Sequence, residues 1–341
     1  MKLLSVRASC SCTRSVVPPK DGALGSFFLF PQNMNLTYKD LPHEGIPPVI
    51  PINASGLKIS ACPRRWFLTV FLGLKPKEDI TALTVGKIIH KFAENIAFDR
   101  SGEKWQEACL DAFKDAKDKN LPTKDQEQIK KALTVAPLQQ LPTPLKFGDN
   151  RGAEFHFNFP IVEHPAFAYV GTVDLLSITP AGILQITDYK TTRKYAFKDA
   201  VAGYEGDTQF SFYYYIFQRF AYEIFKDEIN YANAAWYRRM VIRTLVVQIS
   251  LPNPAWRTGP DWSFSAEQLE EFGVELKQRI ELFSKHINQA MAHDKLPPPT
   301  GKLTNSCPSC PFKRLCFADN STQVELFLSE CDIVKYEPLS W

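Results

Sequence analysis

The chain reads as a protein of mixed α and β structure, on three observations. Residues 171 to 192, GTVDLLSITPAGILQITDYKTT, form two apolar β-rich runs separated by a Pro-Ala-Gly turn signal. Segments ahead of it, from about residue 84 to 140, carry apolar residues at helical spacing. After it, Ser265 opens the capping box S-A-E-Q, and Leu269, Phe272, Leu276, Ile280, Phe283 and Ile287 continue as the inward stripe of a long helix.

The hairpin holds the candidate chemistry. Asp188 and Lys190 are two apart and project from one face of a strand. If Pro180, Ala181 and Gly182 make a three-residue loop, Pro suits the first position of a type I turn and Gly the left-handed one. Thr179 then faces Ile183, and Asp174 falls opposite Asp188, about 5 Å away. A four-residue loop would put the two carboxylates on opposite faces. Opposed carboxylates repel, and a divalent cation such as Mg²⁺ or Mn²⁺ would cancel that repulsion. A surface hairpin with solvated charges is the competing reading, because D-x-K is a common tripeptide.

At 341 residues, 45% hydrophobic and 23% charged, the chain suits one large domain or two small ones, and no apolar run approaches a membrane span. The net charge of +3 comes from residues 1–33, where Lys2, Arg7, Arg14 and Lys20 face Asp21 alone. The rest is neutral, so any basic surface is local. Three readings fit that N-terminal stretch: a disordered tail, an organelle-targeting segment, or sequence upstream of a start at Met34.

The elements follow in order. INASGLKISACPRRWFL reads as a Ser-capped helix, and Thr84 as the cap of the next, GKIIHKFAENIAF. In the latter, Ile89, Phe92, Ala93 and Ile96 face the core while His90, Lys87 and Glu94 line a flank. A lone histidine there is ordinarily structural unless a metal site is nearby. Helices are expected at 102–119 and 124–140, a strand with Glu154 at 153–160, and an Asp207-capped helix whose Gln209 and Tyr213 share a face. Further strands are expected at 231–238 and 241–250. Cys307, Cys310 and Cys316 stand as C-x2-C-x5-C, and Cys62 occupies the other Cys-Pro setting. Four thiolates suit either Zn²⁺ or an iron-sulfur cluster, and three ligands grouped with one distant favour the cluster. Cys109 reads as a small core residue.

Taken in order, G-x-x-x-H (Gly86 to His90), G-x-x-D (Gly171 to Asp174), D-x-K (Asp188 to Lys190) and Q-x-x-x-Y (Gln209 to Tyr213), bracketed by Cys62 and the terminal cysteines, resemble the RecB-type branch of the PD-(D/E)xK nucleases. The closer likeness is to its iron-sulfur members, which include CRISPR-associated exonucleases, AddAB-type helicase-nucleases and single-strand exonucleases. It spans about residues 55–318.

The resemblance implies a restriction-endonuclease-like α/β core, a mixed twisted sheet flanked by helices, with a helical insertion and a four-cysteine iron-sulfur staple joining the N- and C-terminal parts. It implies a nuclease domain at 55–318, with helical part 84–140, catalytic core 150–250 and C-terminal helix and cysteines 265–318, between an extended segment 1–54 and an extension 319–341. His90, Asp174 and Asp188 would ligate Mg²⁺ or Mn²⁺ with the Tyr189 carbonyl, and Lys190 would assist the attacking water. Gln209 and Tyr213 would position the strand, and Cys62, Cys307, Cys310 and Cys316 would hold a [4Fe-4S] cluster, structural Zn²⁺ being the alternative. Glu154 occupies an acidic position whose role is left open, and Arg64, Arg65, Arg193 and Lys194 are candidate contacts to nucleic acid. The expected activity is single-strand-preferring DNA exonuclease, with a structure-specific endonuclease or a non-catalytic binding scaffold as alternatives. No Walker A loop is present, so a helicase would be a partner. A cytoplasmic location is expected, or an organelle if residues 1–33 are a targeting segment. Two departures stand out: Asp188 replaces the more familiar Glu, and residues 1–54 match nothing in the family.

Overall fold

The computed structural model describes residues 36–77, 81–138, 141–147, 150–194, 196–204, 206–225, 239–249, 252–300 and 307–334. Strand β1 (Ile50–Ile52) leads into helix α1 (Ala54–Ile59), the single turn α2 (Pro63–Trp66), a π-helical turn at Phe67–Phe71, and β2 (Leu74–Pro76). Helices α3 (Thr81–Ala97), α4 (Gly102–Asp118) and α5 (Thr123–Thr134) follow, then short strands β3 (Lys146–Phe147) and β4 (Asn150–Arg151). Next come β5 (Ala153–Pro160), β6 (Phe167–Ile178) and β7 (Leu184–Thr192), then α6 (Phe197–Ala202), α7 (Thr208–Arg219) and α8 (Ala221–Phe225). The rest is β8 (Met240–Gln248), β9 (Ala255–Trp262), α9 (Ala266–His293), α10 (Lys313–Cys316), α11 (Ser321–Ser329) and β10 (Cys331–Ile333). Among the described residues no helix is long and apolar enough to cross a membrane.

The described strands build a six-stranded mixed sheet. β5, β6 and β7 form an antiparallel meander, β7 pairs parallel with β8, and β9 closes one edge antiparallel to β8. β1 lies parallel to the start of β6, pairing Ile50 with Phe167 and Ile52 with Tyr169. The turn between β6 and β7 has the expected geometry. Gly182 takes φ +72°, its N–H donates to the Thr179 carbonyl at 2.9 Å, and Thr179 N–H donates to Ile183. Register follows from the turn: Leu175 faces Thr187 and Ile178 faces Leu184.

Helices cover both faces. One core joins α1, α7 and α9 to Val173, Leu176, Ile186 and Ile242; the other joins α3, α4 and α5 to Ala153, Leu175, Tyr189, Leu245 and Val247. Alternation would keep Val173 and Leu175 on one face, yet they belong to different cores. Ala153 and Phe155 on β5 split in the same way, around Glu154 at φ +48°. The two strands thus change phase together at Glu154 and Asp174. A non-glycine residue in this left-handed region inside a strand is a strained position that the surrounding fold must hold.

Several expectations need correction. Helix α1 is capped by Asn53, whose side chain accepts the Gly56 N–H at 2.7 Å, and not by the serine. Thr84 lies inside α3, which is already helical at Thr81. The helix expected to reach 140 stops at Thr134. The strand expected at 231–238 falls outside the described residues, and the next runs from Met240 to Gln248. β9 has no counterpart among the expected strands, and its Gly259 and Pro260 are residues that weaken a strand pattern. An edge strand tolerates both, and Gly259 sits against Thr244 where β8 and β9 slip register. Asp207, by contrast, caps α7 as expected, and both halves of the Ser265 capping box form.

Gly171 lies on β6, where an added Cβ would overlap the ring of buried Phe157. Gly171→Ala is expected to lower the unfolding free energy by about 1–3 kcal/mol through overpacking. Urea denaturation measures this, and an unchanged midpoint would mean that the ring moves aside freely.

Candidate active site

After the Leu175–Thr187 pair, β6 and β7 diverge, and β6 pairs on that edge again only with β1 at Phe167–Tyr169. The stretch 170–174 of β6 and the end of β7 therefore face each other across a fork. Backbone groups lining a fork need new partners. Asp174 Oδ2 accepts the Tyr189 N–H at 2.6 Å, and Tyr213 on α7 donates its hydroxyl to the Thr172 carbonyl at 2.6 Å. Asp174 is thus tied to β7 at Tyr189 by a side-chain-to-backbone bond where ladder pairing has ended.

On the α3 side of the fork, one ligand atom each from His90, Glu154 and Asp174 lies within 4.8 Å of the others. His90 Nδ1 is 3.4 Å from Asp174 Oδ1, and its ring meets Tyr189 edge-on at 5.8 Å. Gly86, one turn earlier, lets α3 approach β7: a Cβ there would lie 3.2 Å from Thr191 Oγ1. Glu154 was assigned no definite role, yet it stands opposite Asp174 and joins this set. On the α7 side, Asp188 Oδ2 lies 2.6 Å from Lys190 Nζ. Gln209 donates through Nε2 to Asp188 Oδ1 at 2.8 Å and to the Tyr213 hydroxyl at 3.2 Å, and accepts from Lys190 at 3.1 Å.

Burial sets the protonation of these groups. Desolvation and the charge of Asp174 lift the Glu154 carboxyl to about 7. Burial also raises Asp188, opposed by the Lys190 ammonium. Burial works against the charged forms of His90 and Lys190, but Asp174 and Asp188 respectively outweigh it and raise both. Tyr213 is raised by burial, so its phenol stays a donor. Asp188 Oδ2 is fully buried against the Lys190 ammonium, 2.6 Å away. Carboxylates and an imidazole are the donors a hard divalent cation takes, and they fit one here.

The basic residues divide. Arg64 donates from Nε to the Pro297 carbonyl at 2.8 Å and bonds the Cys316 thiol, so it stands at the cysteines and not in the fork. Arg65 acts on Cys310, and its buried Nε has no hydrogen bond. Arg193 is paired with Asp125 at 2.6 Å, and Lys194 Nζ donates to the Asp199 carbonyl. A cleft of about 490 Å³ is lined by His90, Glu154 and Lys190 of the site together with Lys87, Lys91, Glu94 and Thr191. Sequence reasoning also passed over Lys58, whose ammonium reaches Asp207 and Gln209 from 149 and 151 residues away along the chain. The fold brings Cys62 close enough to Cys310 and Cys316 for their charges to interact, with Cys307 next to Cys310. No three of these sulfurs lie within 4.8 Å of one another. Burial raises Cys310, and Cys316 to about 11.

A mixed sheet flanked by helices is consistent with a restriction-endonuclease-like fold, and the His-Glu-Asp cluster at the strand fork is a candidate site for a divalent metal. The family model of the PD-(D/E)XK nuclease superfamily matches residues 57–317, and the chain belongs to that superfamily. A search of curated proteins returned no match.

Because Glu154 holds its proton to about pH 7, a cation binding its carboxylate must displace that proton at lower pH. Mn²⁺ affinity is expected to fall up to about tenfold from pH 7 to pH 6, and less steeply in Glu154→Gln. The raised pKa also means that the folded, metal-free chain binds this proton more tightly than the unfolded one, whose value is near 4.5. Its contribution to metal-free stability is therefore present below about pH 4.5 and lost as pH rises through about 7, a loss absent in Glu154→Gln. Calorimetric titration and thermal melts across that range check both slopes.

Proposed function

We propose that the protein is a single-strand-preferring DNA exonuclease of the RecB-type branch, hydrolysing phosphodiester bonds in DNA repair, recombination or phage or CRISPR-related processing. The observation that carries the reading is the strand fork, where His90, Glu154 and Asp174 converge beside Asp188, Lys190, Gln209 and Tyr213. In this set a Mg²⁺ or Mn²⁺ ion would supply Lewis-acid activation of water and would neutralise charge on the phosphate. His90, Glu154, Asp174 and Asp188 are its assigned ligands, with the Tyr189 carbonyl. Lys190 is assigned to the attacking water: its ammonium, held by Asp188 and Gln209, presents a donor toward the place where negative charge develops. Gln209 and Tyr213 hold that geometry. The preference for a single strand rests on burial. Asp188 is only 2% exposed, and a flexible strand reaches a recessed fork more readily than a stiff duplex does.

The four cysteines are assigned to a [4Fe-4S] cluster stapling the segment before α2 to the C-terminal part. Three ligands grouped in sequence with one distant favour the cluster over a single zinc. Arg64 and Arg65 alongside partly offset the burial that raises Cys316 and Cys310. A helicase would act as a separate partner, feeding a strand to the fork.

End-labelled linear and circular single strands with Mn²⁺ test the activity: cleavage of the linear strand alone is expected, and cutting of the circle would make the protein an endonuclease. Asp174→Ala and Asp188→Ala should each lose at least about a hundredfold in rate, whereas Lys190→Ala should lose rate and keep Mn²⁺ affinity. Near-normal turnover in either aspartate variant would remove the metal assignment. Cys62→Ser opens a closure spanning nearly the whole domain, worth very roughly 5 kcal/mol by the chain-entropy estimate. It should yield protease-sensitive protein without absorbance near the ~400 nm expected of the cluster. Wild-type protein purified without oxygen that is colourless and holds stoichiometric zinc would replace the cluster with a zinc staple.

A further inference from the structure

Lys58 is the one charged side chain of α1, and no motif accounts for it. Its Nζ lies 2.8 Å from Asp207 Oδ1, 2.9 Å from Oδ2 and 3.4 Å from Gln209 Oε1. The Asp207 side chain is only 9% exposed, and its Oδ1 also accepts the backbone N–H of Gln209 at 2.8 Å. Helix α1 is itself fixed, by the Asn53 cap at its start and by Arg279 of α9 at its end. Arg279 donates to the Leu57 carbonyl at 3.0 Å and to Ser60 Oγ at 2.9 Å. Lys58 therefore reaches α7 from a rigid base.

The consequence falls on the Gln209 amide. Two ammonium groups, Lys190 and Lys58, address its oxygen, so its NH2 must face the Asp188 carboxylate and the Tyr213 hydroxyl. The flipped amide would set NH2 against two cations and its oxygen against a carboxylate. An exposed lysine paired to an aspartate is ordinarily worth little. This pair differs because its acid is nearly buried and caps the very residue that bridges Asp188 and Lys190.

We infer that Lys58 is a positioning residue: with Asp207 it locks the first turn of α7 and the orientation of Gln209, and through Gln209 the catalytic pair Asp188 and Lys190. The inference rests on the nuclease reading above. It also makes α1, three residues before Cys62, the polar route by which the cysteine-bearing segment bears on the fork.

Steady-state cleavage of an end-labelled single strand with Mn²⁺, on the full chain, tests it. Lys58→Met should lower kcat about tenfold, the effect of losing one charge-assisted hydrogen bond, and leave KM and the calorimetric Mn²⁺ affinity unchanged. Lys58→Arg, whose planar fork can pair with both Asp207 oxygens, should recover most of the rate. A merely structural pair would lower the melting temperature, leave kcat per folded molecule intact and show no arginine rescue. Should Lys58→Met not fold, Asp207→Asn carries the same test, since asparagine still caps the helix but loses the ion pair. Wild-type kcat in folded Lys58→Met, or in folded Asp207→Asn where that variant replaces it, overturns the inference and leaves the nuclease reading standing. A wild type that does not cut, with Asp174→Ala indistinguishable from it, overturns both.

Discussion

Strands β6 and β7 separate after Leu175 and Thr187, and everything polar in the site follows from the backbone groups left between them. A buried N–H or carbonyl without a partner costs about 1–3 kcal/mol, so the fork must be filled by side chains. Asp174 takes the Tyr189 N–H and Tyr213 takes the Thr172 carbonyl. Each of those bonds fixes a functional side chain in place. The same gap admits α3 from one side and α7 from the other, which is why His90 and Gln209 can reach strands to which neither belongs.

The charges are arranged in two groups that share Asp174 as their border. On one side, burial and the charge of Asp174 raise the proton affinity of Glu154, a state that a cation relieves. On the other, Asp188 and Lys190 neutralise each other in a buried setting where either alone would be costly. The strained backbone of Glu154 belongs to the first group. It turns the strand over at the level where its carboxylate meets Asp174.

The cysteines occupy a separate region tied to the fork by α1 and α9. Trp66, just after Cys62, stacks on Phe283 of α9 at 3.8 Å, and Arg279 one turn earlier on α9 holds the end of α1. β10 pairs with β2, so the C-terminal segment closes back on the N-terminal one beyond the cysteines. The ends of the domain are joined by packing and strand pairing even before any ligand is considered.

Local patterns indicated the hairpin and reduced its register to the length of the loop, and the three-residue Pro-Ala-Gly turn then sets Leu175 against Thr187. The caps of α7 and α9, the buried stripes of α3 and α9, and the residue types of the site were legible for the same reason, each being set within a few residues. What tertiary structure alone decided is which of these meet. Glu154 enters the metal-type cluster through a left-handed turn that no propensity foretells. Arg64 goes to the cysteines, Arg193 to Asp125, and Lys58 to α7. Long charged side chains take their partners from whatever the packing of distant helices brings within reach, and one sequence window carries no record of that packing.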